Sequence, residues 1–292
     1  MTLREAYEYG RKQLNLAGIE DADLDAWYLL EYVTGITKTM YYVKMQEDIL
    51  PEQETKYRQF VETRVSHIPL QHITGVQEFM GLEFAVNEHV LVPRQDTEVL
   101  VESVLETLKP GMKVLDMCTG SGCILISLMK LQQASIKNQE NEVTEVKRII
   151  CGVGVDISED ALKVAKENAE KLGVNADFIQ SDLFENVRGK YDVIVSNPPY
   201  IPTSVIEELK EEVKFHDPLL ALDGKEDGLY FYRKIVEKSP EYLKVGGQLF
   251  FEIGHDQGEE VKKLMEQAGF AEVTVKKDLA GLDRVVLGKY NY

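Results

Sequence analysis

Apolar positions recur along this chain with two different spacings, and the change of spacing divides it. Over residues 1–75 the spacing is helical: Leu3, Ala6, Tyr7, Gly10 and Leu14 share one helical face. Leu24, Trp27, Tyr28 and Glu31 open a second helix, with Gly35 placed as its C-terminal cap. Pro51 stands where a first helical turn accepts proline, and Phe60, Val61 and Val65 continue that helix. The helical stretch ends at Pro69. The period then shortens, and Phe79–Val86 reads as a hairpin around Gly81, closed by Pro93-Arg94.

From about residue 94 strands and helices alternate. Strands are expected at 113–117, 149–155, 177–181, 191–196, 247–253, 272–275 and 284–287. Helices are expected from Ile124, over 159–172 behind a Ser158 cap, over 228–243 and over 259–268. Residues 132–147 are polar and read as a solvent-exposed excursion. This alternation predicts an α/β fold, with a mostly parallel sheet covered by helices on both faces.

Charge narrows the partners. The 292 residues carry 33 Lys plus Arg against 50 Asp plus Glu, a net charge of −17. Residues 1–75 hold 8 basic and 12 acidic side chains, so both parts are acidic. A broad phosphate-binding face, and with it stable nucleic-acid binding, is not expected. No apolar run reaches the 18 or so residues of a membrane helix, and the first residues lack the apolar core of a signal peptide. The expected location is the cytoplasm, with no membrane partner. Cys118, Cys123 and Cys151 make an odd set without C-x-x-C spacing, and the five histidines show no H-x-x-x-H pair, so no metal site is expected.

Ligands of open α/β sheets bind beyond the carboxyl ends of the strands. Three such ends carry chemistry here. Asp116-Met-Cys-Thr-Gly-Ser-Gly122 runs from a strand into a small-residue turn, where Gly120 and Gly122 permit a tight bend and close approach of a ligand. A purely structural strand-to-helix turn needs the same glycines. Asp156 ends the next strand and can accept from both hydroxyls of a ribose, or it can cap the following helix. Asp182-Leu183 follows the third strand; the carboxylate can accept from an adenine amino group and Leu183 can pack on the base, or Asp182 makes a local turn. Together they specify a cofactor containing adenosine. Neither G-x-G-x-x-G nor G-x-x-x-x-G-K-[ST] is present, which disfavours NAD and ATP. Carboxylates along the pocket suit a cationic sulfonium, so S-adenosylmethionine is favoured.

Asn197-Pro198-Pro199-Tyr200 follows the fourth strand. An amide or aromatic-amine nitrogen has a delocalised lone pair and must be held in line with the methyl group it attacks. The Asn197 side-chain oxygen can accept one N–H and the Pro198 carbonyl the other. Both prolines stiffen the segment, and Tyr200 offers a flat face to a planar group. Two acceptors aimed at one NH₂ catalyse by positioning and electrostatics. The other account of the segment is a rigid turn with Tyr200 as a core aromatic.

These motifs resemble the peptide chain release factor glutamine N5-methyltransferases of the PrmC/HemK type. The likeness extends to Pro69–Gly75, Val90–Glu98, Ala221–Gly224, Asp227–Leu229, Glu252–Gly254 and Asp278–Gly281. It implies a small all-α N-terminal domain at 1–75 that recognises the substrate protein and a β-hairpin linker at 76–93. It also implies a Rossmann-like class I S-adenosylmethionine-dependent methyltransferase domain at 94–292. The implied substrate is the glutamine of the Gly-Gly-Gln loop of class 1 release factors, and the implied by-product is S-adenosylhomocysteine. Carried over, Cys118, Thr119, Gly120, Ser121, Gly122, Asp156, Asp182, Leu183 and Asn197 contact the cofactor. Asn197, Pro198, Pro199 and Tyr200 hold the glutamine amide. Arg94 and Glu98 either shape the substrate side or form structural ion pairs. One position departs from the pattern: the first residue of the turn is usually glycine and here is Cys118, which is strained if the backbone there requires a positive φ.

The Asn-Pro-Pro-Tyr segment alone is shared with adenine-N6 methyltransferases of DNA. A nucleic-acid amino methyltransferase is therefore the alternative function, against which the acidity of both parts argues. A non-catalytic cofactor-binding protein, damaged at Cys118, is a third.

Overall fold

The computed structural model describes residues 1–139 and 150–292. The described residues divide into two units, Met1–Val76 with Lys210–His216, and Gln77–Leu209 with Asp217–Tyr292.

The first unit is built on the helices Leu3–Leu16, Ala22–Thr34, Lys38–Lys44, Pro51–Val65 and Leu70–Thr74. A reciprocal capping box starts the first: Thr2 Oγ1 accepts from the Glu5 N–H, and Glu5 Oε2 accepts from the Thr2 N–H. Gly35 ends the second in the left-handed conformation, and Pro51 opens the fourth at its first position. Leu14, Ala26, Leu29, Leu30, Tyr57 and Val61 are fully buried. Gly10 lies on the apolar face because its neighbour leaves no room: a Cβ there would overlap the Tyr57 hydroxyl, which donates to the Ala26 carbonyl at 3.1 Å. Two helices went unsignalled. Lys38–Lys44 and Leu70–Thr74 have seven and five residues, too few for a period to register. Pro69, expected as a terminus, instead stands just ahead of the second of these. Arg64 is buried and each of its three guanidinium nitrogens donates: to Asp25 at 2.7 Å, to the Ile68 carbonyl at 3.0 Å and to Glu212 at 2.6 Å.

β1 (Val76–Phe79) and β2 (Leu82–Ala85) form the hairpin, which from Gln77 onward belongs to the second unit and turns at Met80 and Gly81, both at positive φ. Phe79 and Phe84 are buried in the same cluster as Leu100, Val114 and Phe250, so the hairpin is packed into this unit. Asn168 fastens it, accepting from the Ala85 N–H and donating to the Ala85 carbonyl.

The main sheet comprises β3 (Lys113–Met117), β4 (Cys151–Asp156), β5 (Asp177–Gln180), β6 (Tyr191–Ser196), β7 (Leu243–Glu252), β8 (Phe270–Lys277) and β9 (Asp283–Tyr290). Their spatial order is β5-β4-β3-β6-β7-β9-β8. β3 to β7 run parallel, and β9 runs antiparallel to both β7 and β8. Successive residues of one strand enter different cores: Val114, Val193 and Phe250 join one cluster, and Leu115, Ile194 and Phe251 the other. Side chains alternate across a strand, so unbroken apolar runs mean burial on both faces. This is the Rossmann-like methyltransferase architecture expected from the sequence.

The differences from expectation have local causes. The helix that starts at Cys123 runs through 132–139, because Gln, Ala and Lys favour helix whatever their polarity. The rest of the expected excursion, 140–147, lies outside the described residues. The helix expected from Gly228 begins at Tyr230, since Gly228 adopts a left-handed φ of 73°. β8 and β9 are longer than expected, because much of each is only part-buried and its apolar signal is diluted.

Strand order reverses at β3, which lies between β4 and β6. In register, Met117 pairs with Val155 and Ser196, and Asp156 pairs with Gln180. Cys118, Ile157, Ser181 and Asn197 therefore emerge along one edge at the switch point, where such sheets bind ligands.

Candidate active site

β3 delivers the chain into a turn at Cys118, whose φ is 61°, followed by Gly120 at 54° and Gly122 at 79°. The turn is tied on several sides. The Thr119 N–H donates to the Val155 carbonyl at 2.9 Å, and the Thr119 hydroxyl to Asp116 Oδ2 at 2.6 Å. The Gly120 N–H donates to Asp156 Oδ2 at 2.9 Å. Cys118 thus occupies the positive-φ geometry that the sequence marked as strained for a side chain, at a cost of about 1–2 kcal/mol relative to glycine. Gly122 is required twice: its φ is positive, and a Cβ there would come within 2.8 Å of Ile126 and 3.2 Å of Ala165 on the next helix.

Asp116 is completely buried, and burial pushes its carboxyl up to about 7, against the pull of the Thr119 hydrogen bond. Its Oδ1 has no partner among the described residues. Burial also pushes the Cys118 thiol up, and the Asp156 and Asp116 charges add to the effect. Cys123 is raised to about 12 for the same first reason. Neither sulfur is a ready thiolate.

Asp156 accepts from the backbone N–H groups of Gly120 and Ser158, each at 2.9 Å. Ser158, not Asp156, caps the helix Glu159–Leu172, its hydroxyl accepting from the Ala161 N–H. Asp156 is thus a brace between the glycine turn and the end of β4, and it also lines the cavity. Burial raises its proton affinity and the backbone donors oppose the rise. After β5, the Ser181 N–H donates to the Asp156 carbonyl at 3.0 Å, and Leu183 takes a left-handed φ of 46°.

The fourth strand end is held from behind. The Ser196 hydroxyl donates to the Met117 carbonyl at 2.7 Å, locking β6 to β3. The Ile201 N–H donates to the Leu222 carbonyl, and the Gly224 N–H to the Ile201 carbonyl. Gln257 Nε2 donates to the Tyr200 carbonyl at 3.0 Å. A Cβ on Gly224 would lie 2.8 Å from the Tyr200 Cα, and one on Gly228 would overlap the Tyr200 carbonyl oxygen. Both glycines lie in segments of the family likeness, 221–224 and 227–229, but nothing in the sequence named Tyr200 as their partner. Gln257 carried no signal at all.

A cleft of about 1120 Å³, counted to its open mouth, runs across these strand ends. Of the expected site residues, Cys118, Thr119, Gly120, Ser121, Asp156, Asp182, Leu183, Asn197 and Pro199 line it. Gly122, Pro198 and Tyr200 are not part of its wall. Gly122 serves helix packing, Pro198 is buried, and Tyr200 packs on the second core cluster, where burial raises its hydroxyl to about 12. Arg94 lines the cleft and pairs with Asp217 at 3.4 Å. Glu98 instead accepts from the Met80 N–H at 2.6 Å, bracing the hairpin turn. Wall residues with no individual role assigned from sequence include His89, Leu91, Thr97, Leu220 and Phe231. The donor set fits an adenosine-bearing cation. Carboxylates stand at the ends of β4 and β5, and Leu183, Ile157 and Val90 supply apolar walls for a flat base. No helix among the described residues is long and apolar enough to cross a membrane.

Comparison with known proteins adds the following. Residues 5–75 match the PrmC N-terminal domain, and residues 108–269 match a methyltransferase domain. The chain is 40% identical over 290 residues to the release factor glutamine methyltransferase of Geobacter sulfurreducens, covering 99% of this chain and 96% of that one. It is 40% identical over 294 residues to the protein of the same name from Moorella thermoacetica, covering 98% of each. A solved methyltransferase from Pyrococcus furiosus shares the fold, with a TM-score of 0.50 and 17% identity over 73% of this chain and 90% of that one.

Proposed function

The chain belongs to the release factor glutamine methyltransferases, and from that premise we propose that it methylates the N5 amide of the Gly-Gly-Gln glutamine of class 1 release factors, using S-adenosylmethionine. The observation that carries this reading is that Asn197 and Pro199 share one cleft with the Cys118–Ser121 turn, Asp156 and Asp182. A nitrogen held by the first group lies in the same space as a ligand held by the second.

The turn and Asp156 would hold the ribose, and Asp182 with Leu183 the adenine. When bound, the cofactor supplies an electrophilic methyl carbon on a sulfonium. The protein's part is placement. Asn197 Oδ1 accepts one hydrogen of the glutamine NH₂ and the Pro198 carbonyl accepts the other, turning the nitrogen lone pair toward the methyl group. Both acceptors grow more favourable as the nitrogen gains positive charge. No side-chain base is required, because the nitrogen becomes acidic as it is alkylated and releases its proton to water.

The test is transfer from labelled S-adenosylmethionine, with purified release factor and duplex DNA offered in parallel and the product mapped by mass spectrometry. One methyl group on the Gly-Gly-Gln glutamine with DNA unlabelled is the expected result. Labelled DNA with an untouched release factor refutes the proposal.

A further inference from the structure

An acceptor made from an asparagine has an ambiguity built in, since the amide can present its oxygen or its NH₂ to the cleft. What decides is the group on its far side. Asn197 Nδ2 donates to the Thr97 hydroxyl oxygen at 3.4 Å. Thr97 is 3% exposed and sits one turn after Arg94, at the end of a short 3₁₀ segment. The Thr97 hydroxyl in turn is hydrogen-bonded to the carboxylate of Glu252, the last residue of β7. Glu252 is 1% exposed, does not line the cleft, and has an Oε2 without a partner among the described residues. A buried carboxylate can only accept, so Thr97 must donate to it, and the lone pairs left on Thr97 can only accept from Asn197. The chain of donors is one-directional and leaves Asn197 Oδ1 for the cleft.

We propose that Thr97 and Glu252 are positioning residues that fix the amide of Asn197 with its oxygen toward the reacting nitrogen. The proposal rests on the reading of Asn197 given above. It also carries a direction with pH. Burial raises Glu252 to about 7, against the pull of Thr97, Arg284 and Arg94, with Asp96 adding to the rise. Tyr200, Tyr232 and Cys123 also face its charge. Once protonated, Glu252 can donate to Thr97, and Thr97 can then donate to Asn197. That reversal draws the amide oxygen inward and sets NH₂ against NH₂ at the substrate.

The experiment compares wild type with Thr97→Val, Thr97→Ser and Glu252→Gln. Readouts are kcat and KM for release factor, cofactor Kd by calorimetry, and the Asn197 side-chain amide resonances of ¹⁵N-labelled protein. Thr97→Val is expected to lower kcat by about 10–100-fold, with cofactor Kd within about threefold, and Thr97→Ser to restore it. The acid limb of kcat near pH 7 should vanish in Glu252→Gln and persist in Asp116→Asn, which removes the other carboxyl raised to about 7. A Thr97→Val enzyme as fast as wild type overturns the proposal, as does a Thr97→Ser enzyme as slow as Thr97→Val. If wild type leaves release factor unmethylated, the functional reading fails by itself. The amide resonances still decide this one: a shift in Thr97→Val that Thr97→Ser lacks supports it, and no shift overturns it. Should Thr97→Val not fold, Glu252→Gln carries the same test through the pH limb.

Discussion

Adding one methyl group at Gly224 tests whether the Asn-Pro-Pro-Tyr loop works by exact placement. Gly224 is not itself a residue of the cleft wall, yet a Cβ there would lie 2.8 Å from the Tyr200 Cα, the Tyr200 carbonyl carbon and the Gly228 Cα. All three are backbone atoms, so no side chain can rotate away. Carbon atoms prefer about 3.5–4.0 Å, and the loop must therefore move by roughly 0.7 Å or more. Gly228 is itself held, its carbonyl accepting from Gln257 Nε2 at 3.4 Å. A shift of Tyr200 passes through two proline-stiffened peptides to Asn197. A displacement near 1 Å costs about 100-fold in a positioned reaction, while overpacking of this size costs about 1–3 kcal/mol of stability. Gly224→Ala should therefore lose about 10–100-fold in kcat on release factor. Its cofactor Kd should stay within about threefold, because the glycine turn, Asp156 and Asp182 are untouched. The assay is single-turnover methyl transfer alongside calorimetry and thermal melting. A folded Gly224→Ala protein with wild-type kcat refutes the argument, and a loss confined to cofactor affinity assigns the loop to the other half of the cleft.

Asn197→Ala should lower kcat by about 100–1000-fold with cofactor affinity nearly intact, as for removal of one preorganised polar group; rapid turnover by this variant would remove Asn197 from the mechanism. Asp156→Ala should weaken cofactor binding by about 10–100-fold in calorimetry, since it deletes a charged acceptor and frees the Gly120 N–H. An unchanged Kd would leave Asp156 as a brace alone. Thermal melting should show stability falling as pH rises from about 4 through about 7. Asp116 and Glu252 keep their protons to about 7 in the folded chain but release them near 4 when unfolded, so the native state binds more protons across that window. Asp116→Asn should flatten the slope between about pH 4 and 7, and a slope equal to wild type's there would remove Asp116 from the account.

The parts legible in the sequence were those whose physics is local. The strands 113–117 and 191–196 announced themselves as apolar runs because both of their faces are buried. The turn at 118–122 announced itself through glycines that a left-handed backbone demands, and Cys118 was legible as a misfit before its φ was known. What stayed hidden depends on partners distant in sequence. Gly224 and Gly228 matter because Tyr200 lies against them, and Gln257 because it reaches the Tyr200 carbonyl. Thr97 and Glu252 are separated by 155 positions, and nothing in either segment points to the other. Tyr200 illustrates the converse. An aromatic after two prolines reads as a platform for a planar group, with packing as the other account, and its place on the second core cluster was visible only in three dimensions.

The three cysteines have a practical consequence. Cys118 and Cys123 hold their protons tightly, and Cys123 is buried, whereas Cys151 is exposed at the first position of β4. A maleimide dye at neutral pH should therefore attach fastest at Cys151 without any engineering. That place is the amino end of the strand whose carboxyl end is Asp156, five residues and about 17 Å away. The native chain thus carries a preferred attachment point at the amino end of β4, on the opposite edge of the sheet from the cleft.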